Sequence, residues 1–335
     1  MTAEPRKARP VATVLVALVL CALALVLTPL IGAVPLDLKE VFRGVEPAAT
    51  IFFTLRLPRV LLAALAGGAL ATAGTVFQTL LRNDLATPFT LGVASGGSLG
   101  AVAAIHFGLT FTLLGLSPLP VAAFAGAALV VAAILGLVRL RGPSMESTTL
   151  LLAGVTVSFL CSATIMLLQY LSDFTATHRM IRWMMGGLDT VGYGPLLQAL
   201  PFVLVGLAVI ALQTGHLNQL LAGDLLAASR GVPVRRVRVT LLLAAALITA
   251  AVIAFTGPIG FVGLIVPHGA RLLGGANHRA LLPASFLGGA ALLPVCDMIA
   301  RTVIAPAELP VGVLTALLGA PFFLFILLGQ GRGGR

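Results

Sequence analysis

The chain has 335 residues, 59% of them hydrophobic and 10% charged, with a formal net charge of +10. A water-soluble domain of this length needs far more charged surface, which excludes a soluble globular fold. A bilayer removes that need, because surface facing lipid is apolar, and the mean hydropathy of +1.09 agrees.

The first apolar run, 11–33, follows Arg6, Lys7 and Arg9. Basic residues ahead of an apolar run also open secretory leaders, but this run is long for one and reads as an uncleaved span. Further runs lie at 57–81, 89–109, 111–138, 147–170, 194–213, 238–256, 259–274, 280–299 and 310–328. Most reach the ~20 apolar residues that a ~30 Å hydrocarbon core demands. The 259–274 run, at 1.5 Å per residue, reaches only about 24 Å and needs shielding by protein. The expected fold is all-α and polytopic, with about ten transmembrane helices in one domain, 1–335. The polar stretches 34–56, 171–193 and 214–237 are too short to hold a core of their own.

Lysine and arginine placement sets the orientation. With the 1–10 tail in the cytoplasm, the inner loops carry fourteen basic residues and the outer ones seven. Both termini are therefore expected inside a cell (inner or plasma) membrane. Basic loops against anionic lipid account for the net charge, so no nucleic-acid partner is expected. Cys21, Cys161 and Cys296 sit within apolar runs without CxxC spacing, implying neither a disulfide framework nor a metal site.

Taken in chain order, Arg56 and Arg59 flank Pro58 at the outer start of the second span. With Arg301 they run against the charge trend. They either snorkel and pair locally or offer charge to an acidic docking partner. In the stretch Leu85–Gly100, Gly92, Gly96 and Gly100 recur every fourth residue and share one helix face. That face suits close helix contact, with substrate contact as the other reading. The segment Thr177–Asp189 reads as a short outer helix. Its Trp183 suits the interface, and Met180, Met184 and Met185 give adaptable surface.

In the 214–237 loop, Leu220, Leu221, Leu225 and Leu226 suit a short amphipathic helix. Gly231 can stop it, and Pro233 blocks its continuation. The loop is either a lipid-surface helix or a docking knob for a cytoplasmic partner. In Thr256–Arg271, Gly257 and Pro258 should turn one span sharply into the next, and Pro267 should interrupt the short span. The segment is either a tight packed turn or part of a pathway. Asp297 and Arg301, four apart, are neighbours on a helix face. They form a local pair, or Arg301 faces outward to a partner.

Absences narrow the chemistry. Neither lysine, Lys7 nor Lys39, follows a glycine-rich loop, so there is no P-loop for ATP. There is no HExxH. Ser95–Gly96 lacks the spacing of a nucleophile elbow. Spans rich in Asp, Glu or His, as proton relays need, are missing. No catalytic residue is assigned, and no cofactor bound by this chain. The alternatives are an ion-coupled secondary transporter or an intramembrane enzyme acting through Ser95.

From about Arg56 to Phe325 the chain resembles the FecCD-type (BtuC-like) permeases of type II ABC importers. This is the family of cobalamin, haem and iron–siderophore permeases. The matching stretches include Leu55–Arg59, Gly74–Gln78, Arg82–Asn83, Ala222–Asp224, Gly257–His268, His278–Arg279, Glu308–Pro310 and Leu318–Pro321. The resemblance implies a homodimer with its path at the two-fold axis, along which the 147–170 and 310–328 spans lie. It implies cytoplasmic ATPase subunits that use ATP and Mg. It further implies an extracytoplasmic substrate-binding protein that docks at Arg56, Arg59 and Arg301. Ala222, Gly223, Asp224, Ala227, Ala228, Arg230 and Gly231 match the coupling segment seated on the ATPase. Asn83, Asp84 and Leu85, with Ser144, Met145, Glu146 and Ser147, match the cytoplasmic gate loops. Asp84 replaces a common Pro and Arg230 a common Leu, so gate and ATPase fit are expected to differ locally.

Overall fold

The computed structural model describes residues 10–113, 115–140 and 147–330. The 1–9 part of the tail, Ser144, Met145 and Glu146, and the basic residues Arg6, Lys7, Arg9, Arg141, Arg332 and Arg335 lie outside the described residues.

In chain order the helices are α1 (Pro10–Leu27), α2 (Leu38–Arg43), α3 (Ala48–Thr50), a π-helical stretch Ile51–Arg56, α4 (Leu57–Leu81), α5 (Val93–His106), α6 (Pro118–Leu140), α7 (Ser147–Tyr170), α8 (Phe174–Met184), α9 (Gly194–Leu212), α10 (Thr214–Leu221), α11 (Asp224–Ser229), α12 (Val234–Thr256), α13 (Val262–Gly274), α14 (His278–Ala300) and α15 (Val311–Gln330). Among the described residues, extended pairing is confined to an isolated bridge between Leu113 and Leu116. Among the described residues, seven helices are long and apolar enough to cross a bilayer, and α5 and α13 are shorter apolar ones. The chain is therefore an all-α, multi-pass membrane protein.

Several boundaries differ from the sequence reading for identifiable reasons. The first span stops at Leu27, because Thr28 precedes Pro29 and proline disfavours helix in the residue before it. The second span starts nine residues earlier than expected. Ile51–Arg56 carries the helix through a π turn, so Ala48–Leu81 is continuous. The fourth begins at Pro118 rather than 111, since proline suits the first helical turn. Pro267 does not interrupt α13. Proline at 267 lacks the N–H that would bond the Gly263 carbonyl. Gln78 Nε2 of α4 donates to that carbonyl instead, at 3.2 Å.

Helix α4 is the hub. It is buried along nearly its whole length and packs on α14, α12, α13 and α9. Lipid supplies no hydrophobic drive between helices, so close backbone approach has to do that work. Small residues make it possible: a Cβ placed on Gly74 would sit 1.8 Å from the Gly263 carbonyl oxygen, and one on Gly67 2.1 Å from that of Gly289. The close-packing reading of the Gly96–Gly100 face holds. These glycines lie against the backbone of α6 at Gly126 and Ala122.

Candidate functional site

Polar chemistry collects at the two ends of the bundle, with an apolar cavity between them. At one end α4 closes with Arg82 in a left-handed conformation, φ 48°. Asn83 Oδ1 accepts from the Leu85 N–H (2.9 Å) and fixes the turn that follows. Asp84 is paired with Arg271 of α13 at 2.8 Å. Asp224 opens α11 and accepts from Arg82 at 2.6 Å and from Arg238 at 3.0 Å. One carboxylate thus ties the 214–237 loop to the ends of both α4 and α12. Ser147, at the start of α7, donates to the Leu80 carbonyl at 3.3 Å, which places this predicted gate position against the last turn of α4.

The 214–237 loop forms two short helices, α10 and α11. Gly231 (φ 82°) follows α11, and α12 begins right after Pro233. Ala227 is buried and anchors α11. Leu225, Ala228 and Arg230 are exposed on its outer side, with Ala222 exposed and Gly223 half-buried ahead of them. Asn218 joins the loop to α14: its Oδ1 accepts from the His278 N–H (2.8 Å) and Nδ1–H (2.9 Å), and its Nδ2 donates to Asn277. His278 Nε2 lies 2.8 Å from Thr79 Oγ1 of α4.

At the other end a cavity of about 790 Å³ is lined by Arg56, Arg59, Arg182, Asp189, Arg301 and Glu308, among others. Of the two readings of Arg56, Arg59 and Arg301, the structure shows local pairing for all three. Arg56 lies inside the continuous helix and is buried, donating to the carbonyls of Pro29, Leu30 and Val34. Arg301 is also buried. It donates to the Thr28 carbonyl at 2.7 Å, and its Nε stands 3.3 Å from Asp297. Burial is the main cause pulling Arg301 below the ordinary arginine pKa, with Asp297 opposing it.

The expected Asp297–Arg301 pair is present, but Arg59 holds Asp297 more closely. Arg59 Nη2 and Nε reach Asp297 Oδ1 at 2.8 and 2.9 Å. Its Nη1 reaches Glu308 at 2.8 Å and Asp189 at 3.4 Å. Asp297 is fully buried, whereas Asp189 and Glu308 are about half exposed. Sequence reading assigned no role to Glu308 or Asp189. The available signal was a surplus of outer arginines whose carboxylate partners had to come from elsewhere in the chain.

Between the ends, a cavity of about 730 Å³ is lined by Met184, Met185, Pro258, Phe261 and residues of α15. The Thr256–Arg271 segment is thus both a tight turn and a cavity wall. A Cβ on Gly257 would lie 2.5 Å from the Trp183 carbonyl oxygen. Trp183 packs against a cluster formed by Ala101, Ala123 and Ala254. Met180 is fully buried, so the methionines do not form one adaptable surface.

The fold and site define a multi-pass helical membrane protein with a braced loop at one end and a charged cavity at the other. Residues 17–329 match the FecCD transport family, and the chain belongs to it. It is 43% identical over 282 residues to the hemin transport system permease protein HmuU of Yersinia pestis, covering 84% of each chain. It is 39% identical over 293 residues to the vitamin B12 import system permease protein BtuC of Escherichia coli O157:H7, covering 86% of each. A metal-chelate type ABC transporter solved in an inward-facing conformation superposes with a TM-score of 0.83 at 31% identity, over 96% of this chain and 99% of that one.

Proposed function

We propose that this chain is the permease subunit of an ATP-driven importer for a metal chelate: a ferric siderophore, haem or cobalamin. It works as a homodimer in the cell (inner or plasma) membrane, with both termini cytoplasmic. Cytoplasmic ATPase subunits supply ATP and Mg chemistry, and an extracytoplasmic binding protein delivers the cargo. The observation that carries this reading is the Asp224 brace. It sets an exposed knob (Leu225, Ala228, Arg230) on a loop hydrogen-bonded to α4, α12 and α14. Displacement of the knob by an ATPase is then transmitted to helices that wall the bundle. An ATPase that prefers one of two bundle arrangements shifts their populations by that difference in affinity. Ser147 and Asn83–Leu85, beside the same end of α4, form the gate.

The charged cavity is the docking face for the binding protein. Arg56 and Arg301 act there as buried struts. Arg59 is the exchangeable cation, because its partners Glu308 and Asp189 reach solvent. A carboxylate on the binding protein competes with them. Glu308→Gln removes one competitor and should tighten binding-protein association about three- to fivefold at low salt, as expected for an exposed charge pair. The gain should fade at high salt. Titration of the reconstituted permease with its binding protein measures it. Unchanged or weaker association at low salt would refute the exchange.

A further inference from the structure

A separate apolar groove of about 660 Å³ lies between α9 and α14, floored by Thr72 of α4. Leu207, Ile210, Leu282 and Phe286 line it. From Leu287 back to His278 it follows ten residues of α14, nine rises of 1.5 Å or about 14 Å. Its flank is lipid-facing in character: Leu197, Leu204, Val205 and Leu212 of α9 are all exposed. Neither α7 nor α15 contributes to it, so the groove stays open to lipid if those helices meet at the dimer axis.

The groove ends at the basic end of the bundle, beside Arg279 and the first turn of α14. Arg82, Arg238 and Arg271 at that end are each paired with an aspartate. Arg279 is exposed and makes no ion pair among the described residues. A one-ended cation on a long apolar slot complements a molecule with a hydrocarbon chain and a phosphate. The amino end of the 23-residue helix α14 adds partial positive charge at the same place. Basic pockets between spans on the cytoplasmic side are where anionic headgroups bind.

We propose that this groove binds an anionic glycerophospholipid, one acyl chain along α14 and the phosphate on Arg279. The site adjoins the Asn218–His278 joint, so a bound lipid stiffens the attachment of the 214–237 loop to α14.

The test uses the full chain, delipidated in detergent and titrated with phosphatidylglycerol or phosphatidylcholine, with lipid retention read by native mass spectrometry and stability by thermal melting. The protein should prefer phosphatidylglycerol about fivefold. Arg279→Gln, a surface change that leaves the lipid-free melting temperature unaltered, should abolish the preference while keeping chain binding. Ala211 of α9 also lines the groove, and Ala211→Phe, which fills the slot, should lose both. Soluble glycerol phosphate should give no protection. Equal binding of the two lipids, an unchanged preference in Arg279→Gln, or full competition by glycerol phosphate would each overturn the proposal.

Discussion

Replacing Asp297 with leucine should cost about 3–5 kcal/mol of stability, among the largest losses available to a single substitution in this protein. The carboxylate is fully buried and lies between Arg59 and Arg301. Removing it leaves Arg59 with only its half-exposed partners, and two guanidinium groups facing each other in a poorly hydrated place. The thermal midpoint in detergent should fall by about 10 °C, taking ~2–4 °C per kcal/mol. The double variant Asp297→Leu with Arg59→Met should recover much of the loss, since buried ion pairs are often replaceable by apolar residues of similar volume. A double variant no more stable than Asp297→Leu alone would show that the cluster is not the source of the effect.

A second large effect is expected at Gly74. Alanine there would put a methyl carbon 1.8 Å from the Gly263 oxygen, and backbone atoms have no rotamer by which to escape. Helices α4 and α13 must separate. Gln78 then loses the Gly263 carbonyl, which in turn loses its replacement for the missing proline N–H. The cost combines overpacking of about 1–3 kcal/mol with an unsatisfied buried acceptor of about 1–3 kcal/mol. Gly136→Ala is the control. It lies in α6 with open space where the methyl would go, so it should be neutral or gain about 0.5–1 kcal/mol. Folded yield and melting of the two variants measure the contrast. Equal behaviour would contradict the close-packed hub.

The sequence made those features legible that depend on local chemistry. The span 147–170 coincides with α7 because Ser147 follows a polar break and Tyr170 precedes another. The Gly96–Gly100 face and the stop at Gly231 follow from helix periodicity and from glycine and proline stereochemistry. The features not legible are those set by partners distant in the chain. The i,i+4 rule finds Arg301 for Asp297, but not Arg59, 238 residues away. Proline at 267 reads as a break because its compensating donor, Gln78, lies 185 residues from Gly263. The second span's early start was hidden by its π turn, a geometry without a simple periodic signature. On the candidate site, the positions proposed for coupling and gating rest on family resemblance. Their ion pairs (Asp84 with Arg271, Asp224 with Arg82 and Arg238) required the fold.

The central claim, that the chain moves cargo only when driven by a separate ATPase, is tested most directly in proteoliposomes. The permease is reconstituted with and without its ATPase subunits, and uptake of ferric siderophore, haem or cobalamin presented by the binding protein is followed. Uptake against a gradient should require both ATPase and ATP, and should be indifferent to dissipating the sodium and proton gradients. Accumulation by the permease alone, collapsing with an ion gradient, would contradict the account.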